Sequence, residues 1–146
     1  MRALILALAL AACGQTTNSE QAAPPAAEPP AASEPASAAA AWEDARAQGV
    51  DFRAIGQEPG WVLNIYRQER ITLAWDYGQN SATFPLTEPT YPVEGQTRYD
   101  ASADGKTIAV VIRRFPCQDA MSGAAFPATV EVTIDGRTLQ GCGKSV

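Results

Sequence analysis

Histidine is absent from the 146 residues. A serine nucleophile such as Ser122 therefore has no imidazole to activate it, and a zinc-type site has lost its commonest ligand. The acidic residues show no EF-hand spacing, so neither a metal nor a cofactor is expected. Cysteine is scarce: Cys13, Cys117 and Cys142 are the three, with no C-x-x-C pair for redox or metal chemistry. Positive charge is short as well, with 11 Lys and Arg against 16 Asp and Glu and a net charge of −5. Arg113 and Arg114 form the one adjacent basic pair, which reads as neutralising Asp119 or another acidic neighbour. A phosphate-tracking surface needs more, and nucleic acid is excluded as a partner. No apolar run is long enough to span a bilayer of about 30 Å. Ala3 to Leu10, behind Arg2, has instead the charge and length of a secretory signal peptide, expected over residues 1–12.

An exported chain with an odd cysteine carries a reactive thiol, an intermolecular bridge or a modified residue. Leu10-Ala11-Ala12-Cys13 resembles the lipobox of bacterial lipoproteins. The resemblance implies cleavage before Cys13, a diacylglyceryl group on its sulfur and acylation (palmitate) of the new amino terminus. Two or three chains, at about 0.8 kcal/mol per buried CH₂, anchor a protein stably where one does not. The residue after the cysteine is Gly14, not the Asp that holds such proteins in the inner membrane. The implied location is the outer membrane, facing the periplasm, with Cys13 as the membrane contact.

Cys117 and Cys142 then remain as a pair in an oxidising compartment, and a disulfide between them is expected. Between Cys13 and the domain, residues 15–41 hold no Val, Ile, Leu or aromatic residue. Such a composition cannot offset chain entropy by burial and reads as a disordered, proline-stiffened tether over 13–41. Its glutamates Glu20, Glu28 and Glu34 meet no positive charge, which argues against adhesion to anionic lipid.

Residues 42–146 read as one β-rich domain. The segment from Trp42 predicts a short helix ending at Gly49. Beyond Asp51 the pattern is strand-like. Trp61, Leu63 and Ile65 alternate with polar or smaller neighbours, as do Ile71, Leu73 and Trp75, and Ile108, Val110 and Ile112. Asp135-Gly136 signals a two-residue hairpin between Ala128–Ile134 and Arg137–Gly141, and SADGK a turn between Gln96–Ala101 and Thr107–Phe115. About seven short strands with one disulfide predict a small antiparallel barrel or sandwich.

Two stretches stand apart from the strand pattern: Phe52 to Trp61, containing Gly56-Gln57-Glu58-Pro59-Gly60-Trp61, and Cys117 to Gly123, followed by Phe126-Pro127 and the closing Gly141-Cys142. Together they resemble a family of small bacterial envelope proteins carrying G-x-E-P-x-W and C-x-D-x-M-S segments. The matching positions are Gly56, Glu58, Pro59, Trp61, Cys117, Asp119, Met121, Ser122, Pro127, Gly141 and Cys142. Gly60 stands where members commonly carry an aromatic, and Ala120 where they carry glycine. Domains of this kind sometimes accompany C-type lysozyme inhibitor or META domains, which suggests envelope defence or stress and assigns no chemistry.

Read physically, Glu58-Pro59-Gly60-Trp61 is a turn into a strand, with Trp61 in the core or, with Arg53 and Glu58, beside a shallow binding surface. Asp119 and Ser122 either cap a turn tied down by the disulfide or present hydrogen-bonding groups to a partner. The expected function is a non-catalytic, membrane-anchored interaction module recognising another envelope protein or a cell-wall component. The alternatives are a lysozyme inhibitor, a carrier with an apolar cavity inside the barrel, and an enzyme working through Glu58 or Asp119.

Overall fold

The computed structural model describes residues 34–146, with side chains from residue 39. The leader, Cys13 and most of the expected tether lie outside the described residues. Helix α1 (Glu34–Ala47) begins well before Trp42. Its first turn tolerates Pro35, which needs no N–H there, and Ala38 to Ala41 are the strongest helix formers available. Gly49 ends it as the sequence suggests: its φ is 83°, and its N–H donates to the Arg46 carbonyl at 2.9 Å.

Ten strands follow: β1 (Val50–Gly56), β2 (Trp61–Tyr66), β3 (Arg70–Trp75), β4 (Asn80–Pro85), β5 (Gln96–Ala103), β6 (Lys106–Arg113), β7 (Cys117–Gln118), β8 (Ala125–Phe126), β9 (Ala128–Ile134) and β10 (Arg137–Ser145). Eight of them make one antiparallel sheet in the order β4-β3-β2-β1-β10-β9-β6-β5. Its two outer edges approach each other. Thr90, beyond β4, exchanges both backbone hydrogen bonds with Arg98 of β5 at 2.8 and 2.9 Å, and the Thr87 hydroxyl donates to the Asp100 carbonyl at 3.0 Å. The sheet is thereby a nearly closed barrel, which leaves little open edge.

Alternation decides which side chains fill it. Leu63, Ile71, Leu73, Phe84, Val110, Val130 and Val132 are fully buried in the interior, joined by Trp61, Trp75, Ile108, Ile134 and Leu139. The hairpins Asp104-Gly105 and Asp135-Gly136 have positive φ at both residues, the geometry of a type I′ turn whose twist matches the flanking strands.

The first and last strands of the barrel pair with each other, Phe52 opposite Ser145 through Ile55 opposite Cys142. Here the inner face carries glycine instead of side chains. The ring of Trp61 lies against Gly56 and Gly141, and that of Phe52 against Gly143. The aromatic rings of β1 and β2 thus fill the space that β10 leaves empty.

β7 and β8 form a separate two-stranded ribbon in the connection from β6 to β9. The ribbon folds back onto the outer wall, where Cys117 and Cys142 form the disulfide with Cα atoms 5.5 Å apart. Phe126, buried on β8, packs at 5.6 Å against Trp42 of α1. Ala45 of the same helix contributes to a second small cluster with Val50, Tyr66 and Val146.

Candidate functional site

Both stretches that stand out in the sequence meet beside the disulfide. A groove of about 510 Å³ is lined on one side by Gly56 and Gln57 at the end of β1, and on the other by Cys117 to Ala120. Its floor is Gln140 to Cys142 of β10, with Arg113 and Glu131 at the rim. The bridge between the two sides is Gln57, whose Nε2 donates to Asp119 Oδ1 at 3.4 Å.

Asp119 is the one buried charged residue among those described, 5 % exposed. Its carboxylate is occupied from within its own loop: Oδ2 accepts from the Ser122 amide at 2.8 Å and from the Ser122 hydroxyl at 2.6 Å. Burial pushes the Asp119 pKa up, but the hydrogen bonds from Ser122, Gln57 and Met121 outweigh it, so the carboxyl sits below its ordinary range. The loop closes further through Asp119 N–H to the Ala124 carbonyl and Gly123 N–H to the Asp119 carbonyl, both 2.9 Å. A φ of 69° at Gly123 makes that return possible.

Chemically, an Asp held ionised in this way is a weak base, and the Ser122 hydroxyl spends its proton on it. Both groups are committed to the turn that carries Asp119 to the groove. Among the described residues no group of three or more Cys, Asp or Glu stands close enough to hold a metal ion.

The other residues singled out in the sequence are placed differently. Trp61 points into the barrel, 5 % exposed, and its indole Nε1 donates to the Gln140 carbonyl at 3.2 Å directly behind the groove floor. Glu58 is exposed on the β1–β2 turn, and Arg53 lies on the outer face of β1. Neither lines the groove. Four residues lie between them, and the chain leaves the strand after Gly56, so Arg53 stays on β1 and Glu58 on the turn. Arg113 is neutralised at the rim by Glu131, 4.0 Å away, rather than by Asp119. At Gly60 the place of an aromatic is taken from outside: a Cβ there would stand 2.7 Å from the ring of Tyr77, which is 73 % exposed and donates its N–H to the Gly60 carbonyl at 2.8 Å.

Gln57, Gln118 and Gln140, which give the groove its amide-rich lining, carry no signal in the sequence. Glutamine has no diagnostic spacing; the pairing of β1 with β10 brings Gln57 beside Gln140, and the Cys117–Cys142 disulfide brings Gln118 to them.

Replacing Asp119 by Ala should cost about 2 kcal/mol, since the donors on Ser122, Gln57 and Met121 lose their acceptor and part of that set is buried. Denaturant unfolding measures this. Because the folded pKa is depressed, the contribution is complete above the ordinary carboxyl range and disappears as pH falls through the lowered value. The stability gap between wild type and Asp119→Asn should accordingly narrow in acid; a gap independent of pH would show that the charge does not hold the loop.

No protein-family model, no curated protein and no solved structure matches this chain.

Proposed function

We propose that the chain is a lipid-anchored binding module of the bacterial envelope. It is tethered through Cys13 at the periplasmic face of the outer membrane and works without catalysis through the groove beside the disulfide. The observation that carries this reading is convergence: the two motif-bearing segments, far apart in sequence, meet at one groove with a pinned wall. A rigid wall limits the ordering cost of binding. The glutamine side chains offer both donors and acceptors, and the rim charges of Arg113 and Glu131 offset each other. That lining suits a polar, uncharged ligand such as a cell-wall peptide, a glycan or a loop of another envelope protein. The barrel interior, filled by side chains from Leu63 to Leu139, directs the reading to this surface and away from a cavity-bound apolar ligand.

A more specific form, inhibition of lysozyme, is favoured by the net charge of −5, which attracts a cationic enzyme. The experiment has two parts. Cys13→Ser should move the protein from the membrane to the soluble fraction with its melting curve unchanged. Added muropeptides, or lysozyme at low ionic strength, should shift the side-chain amide resonances of Gln57, Gln118 and Gln140. In the lysozyme form, turnover inhibition accompanies the shifts and fades with salt. Membrane retention of the Cys13→Ser protein overturns the anchor, and silence of these amides toward every such probe overturns the groove.

A further inference from the structure

One row of side chains crosses five strands on the outer face of the barrel at a single register. Lys144 of β10 lies opposite Arg53 of β1, Arg53 opposite Asn64 of β2, Asn64 opposite Thr72 of β3, and Thr72 opposite Thr83 of β4. The row holds two cations, an amide and two hydroxyls, and no carboxylate.

This is out of keeping with the rest of the surface. Seven of the described cations, Arg46, Arg67, Arg70, Arg98, Lys106, Arg113 and Arg137, stand within 4.0 Å of an Asp or Glu. Arg53, Arg114 and Lys144 carry no such ion pair among the described residues, and of these Arg53 and Lys144 face each other. Like charges directly opposite on a sheet repel, and an acidic protein has carboxylates in surplus with which to relieve them.

What they have in common is Trp42 of α1: Lys144 Nζ lies 4.7 Å and Arg53 Cζ 5.6 Å from its ring centroid. The ring face offsets some of the charge but accepts no ordinary hydrogen bond, so the guanidinium and ammonium donors remain available. Burial lowers the pKa of Arg53, with Tyr66 acting the other way, consistent with a cation held short of a counter-ion.

We propose that this row is a binding site for a phosphate group, with its charge held between Arg53 and Lys144 and the rest of the ligand lying over the neighbouring strands towards Thr72. A phosphate has enough acceptor oxygens to take a fork of bonds from the guanidinium and another from the ammonium. The hydroxyl of Thr72, two strands from Arg53, suits the polar body of a phosphate ester, such as a glycerol or sugar. The source is a phospholipid headgroup or a soluble phosphate ester. None of the five residues lines the groove beside the disulfide, so this site stands or falls independently of that one.

The test follows the indole N–H resonance of Trp42 in the full chain during two titrations at constant ionic strength. One uses inorganic phosphate; the other compares phosphatidylglycerol with phosphatidylcholine vesicles. A saturable shift with phosphate supports the site with a soluble ester as its source, and a shift confined to phosphatidylglycerol vesicles supports it with a headgroup. In either case Arg53→Gln and Lys144→Gln should each weaken binding about tenfold or more, with unchanged circular dichroism. Lack of saturation with both probes overturns the proposal, and so does a response that survives both substitutions. If instead the substitutions only free α1, seen as loss of amide protection around Trp42 with no ligand response in the wild type, the pair is a helix clamp and the proposal fails.

Discussion

Gly141→Ala should lower the stability of the domain by about 3 kcal/mol or more, a large effect for one methyl group. The reason is what the methyl would meet. A Cβ at 141 points into the barrel and overlaps the backbone carbonyl of Ile55 on β1, with the Trp61 ring 2.8 Å away. A flexible side chain could turn aside, but a strand backbone moves only if the β1–β10 pairing opens. That pairing joins the two four-stranded halves of the sheet at its centre, so the cost falls on the whole barrel. Gly143→Ala provides the control. There the added atom meets the Phe52 ring at 2.7 Å and the Arg53 carbonyl at 3.0 Å; the ring can shift, and the expected loss is smaller. Urea unfolding of both variants should place Gly141→Ala well below Gly143→Ala in stability. Equal losses, or a loss under about 1 kcal/mol at 141, would contradict the packing of Trp61 and Ile55 against this strand.

These glycines also mark where the sequence stops being readable. Strands such as β2, β3, β6 and β9 are legible because their apolar residues alternate and bury on one side, and the Asp-Gly turns announce their own geometry. β10 runs on to Ser145, past the Gly141 at which its pattern ends, because its inner face there is made of rings contributed by Trp61 and Phe52. A strand whose partners carry its hydrophobic side chains shows no alternation of its own. The start of α1 is hidden for the opposite reason. An Ala- and Pro-rich run without branched or aromatic residues reads as chain too poor to fold, whereas alanine forms helix readily once Trp42 and Ala45 downstream are anchored on the barrel.

The same limit governs the sites. Asp119 and Ser122 are recognisable as a capped turn because their interaction spans three residues. Gln57 and Gln140, however, join them only through the order of strands in the sheet. Arg53 stands out in sequence, but its counterpart Lys144 does not, since the pairing of first and last strands leaves no local trace.

Removing the disulfide is the second large perturbation, and its effects should be both global and local. Cys117 and Cys142 are 25 residues apart, and the chain-entropy relation for a loop of that length gives about 3.5 kcal/mol at 25 °C. For a domain whose net stability is about 5–15 kcal/mol, such a loss moves the unfolding midpoint far towards the unfolded state. The local effect follows from how little else secures the ribbon. β7 and β8 are two residues each, and Phe126 against Trp42 is the ribbon's main apolar anchor. Without the covalent tie, Asp119 keeps Ser122, which moves with it, but loses its hold on Gln57, which does not. The double variant Cys117→Ala/Cys142→Ala should therefore unfold at lower urea concentration and lose hydrogen-exchange protection over 117–126, while the amides of β2, β3 and β9 stay protected in the native state. Reduction of the wild type with dithiothreitol should reproduce both changes. Should 117–126 remain protected without the bond, the ribbon stands on its own packing, and the groove owes its rigid wall to Phe126 and the Asp119 turn.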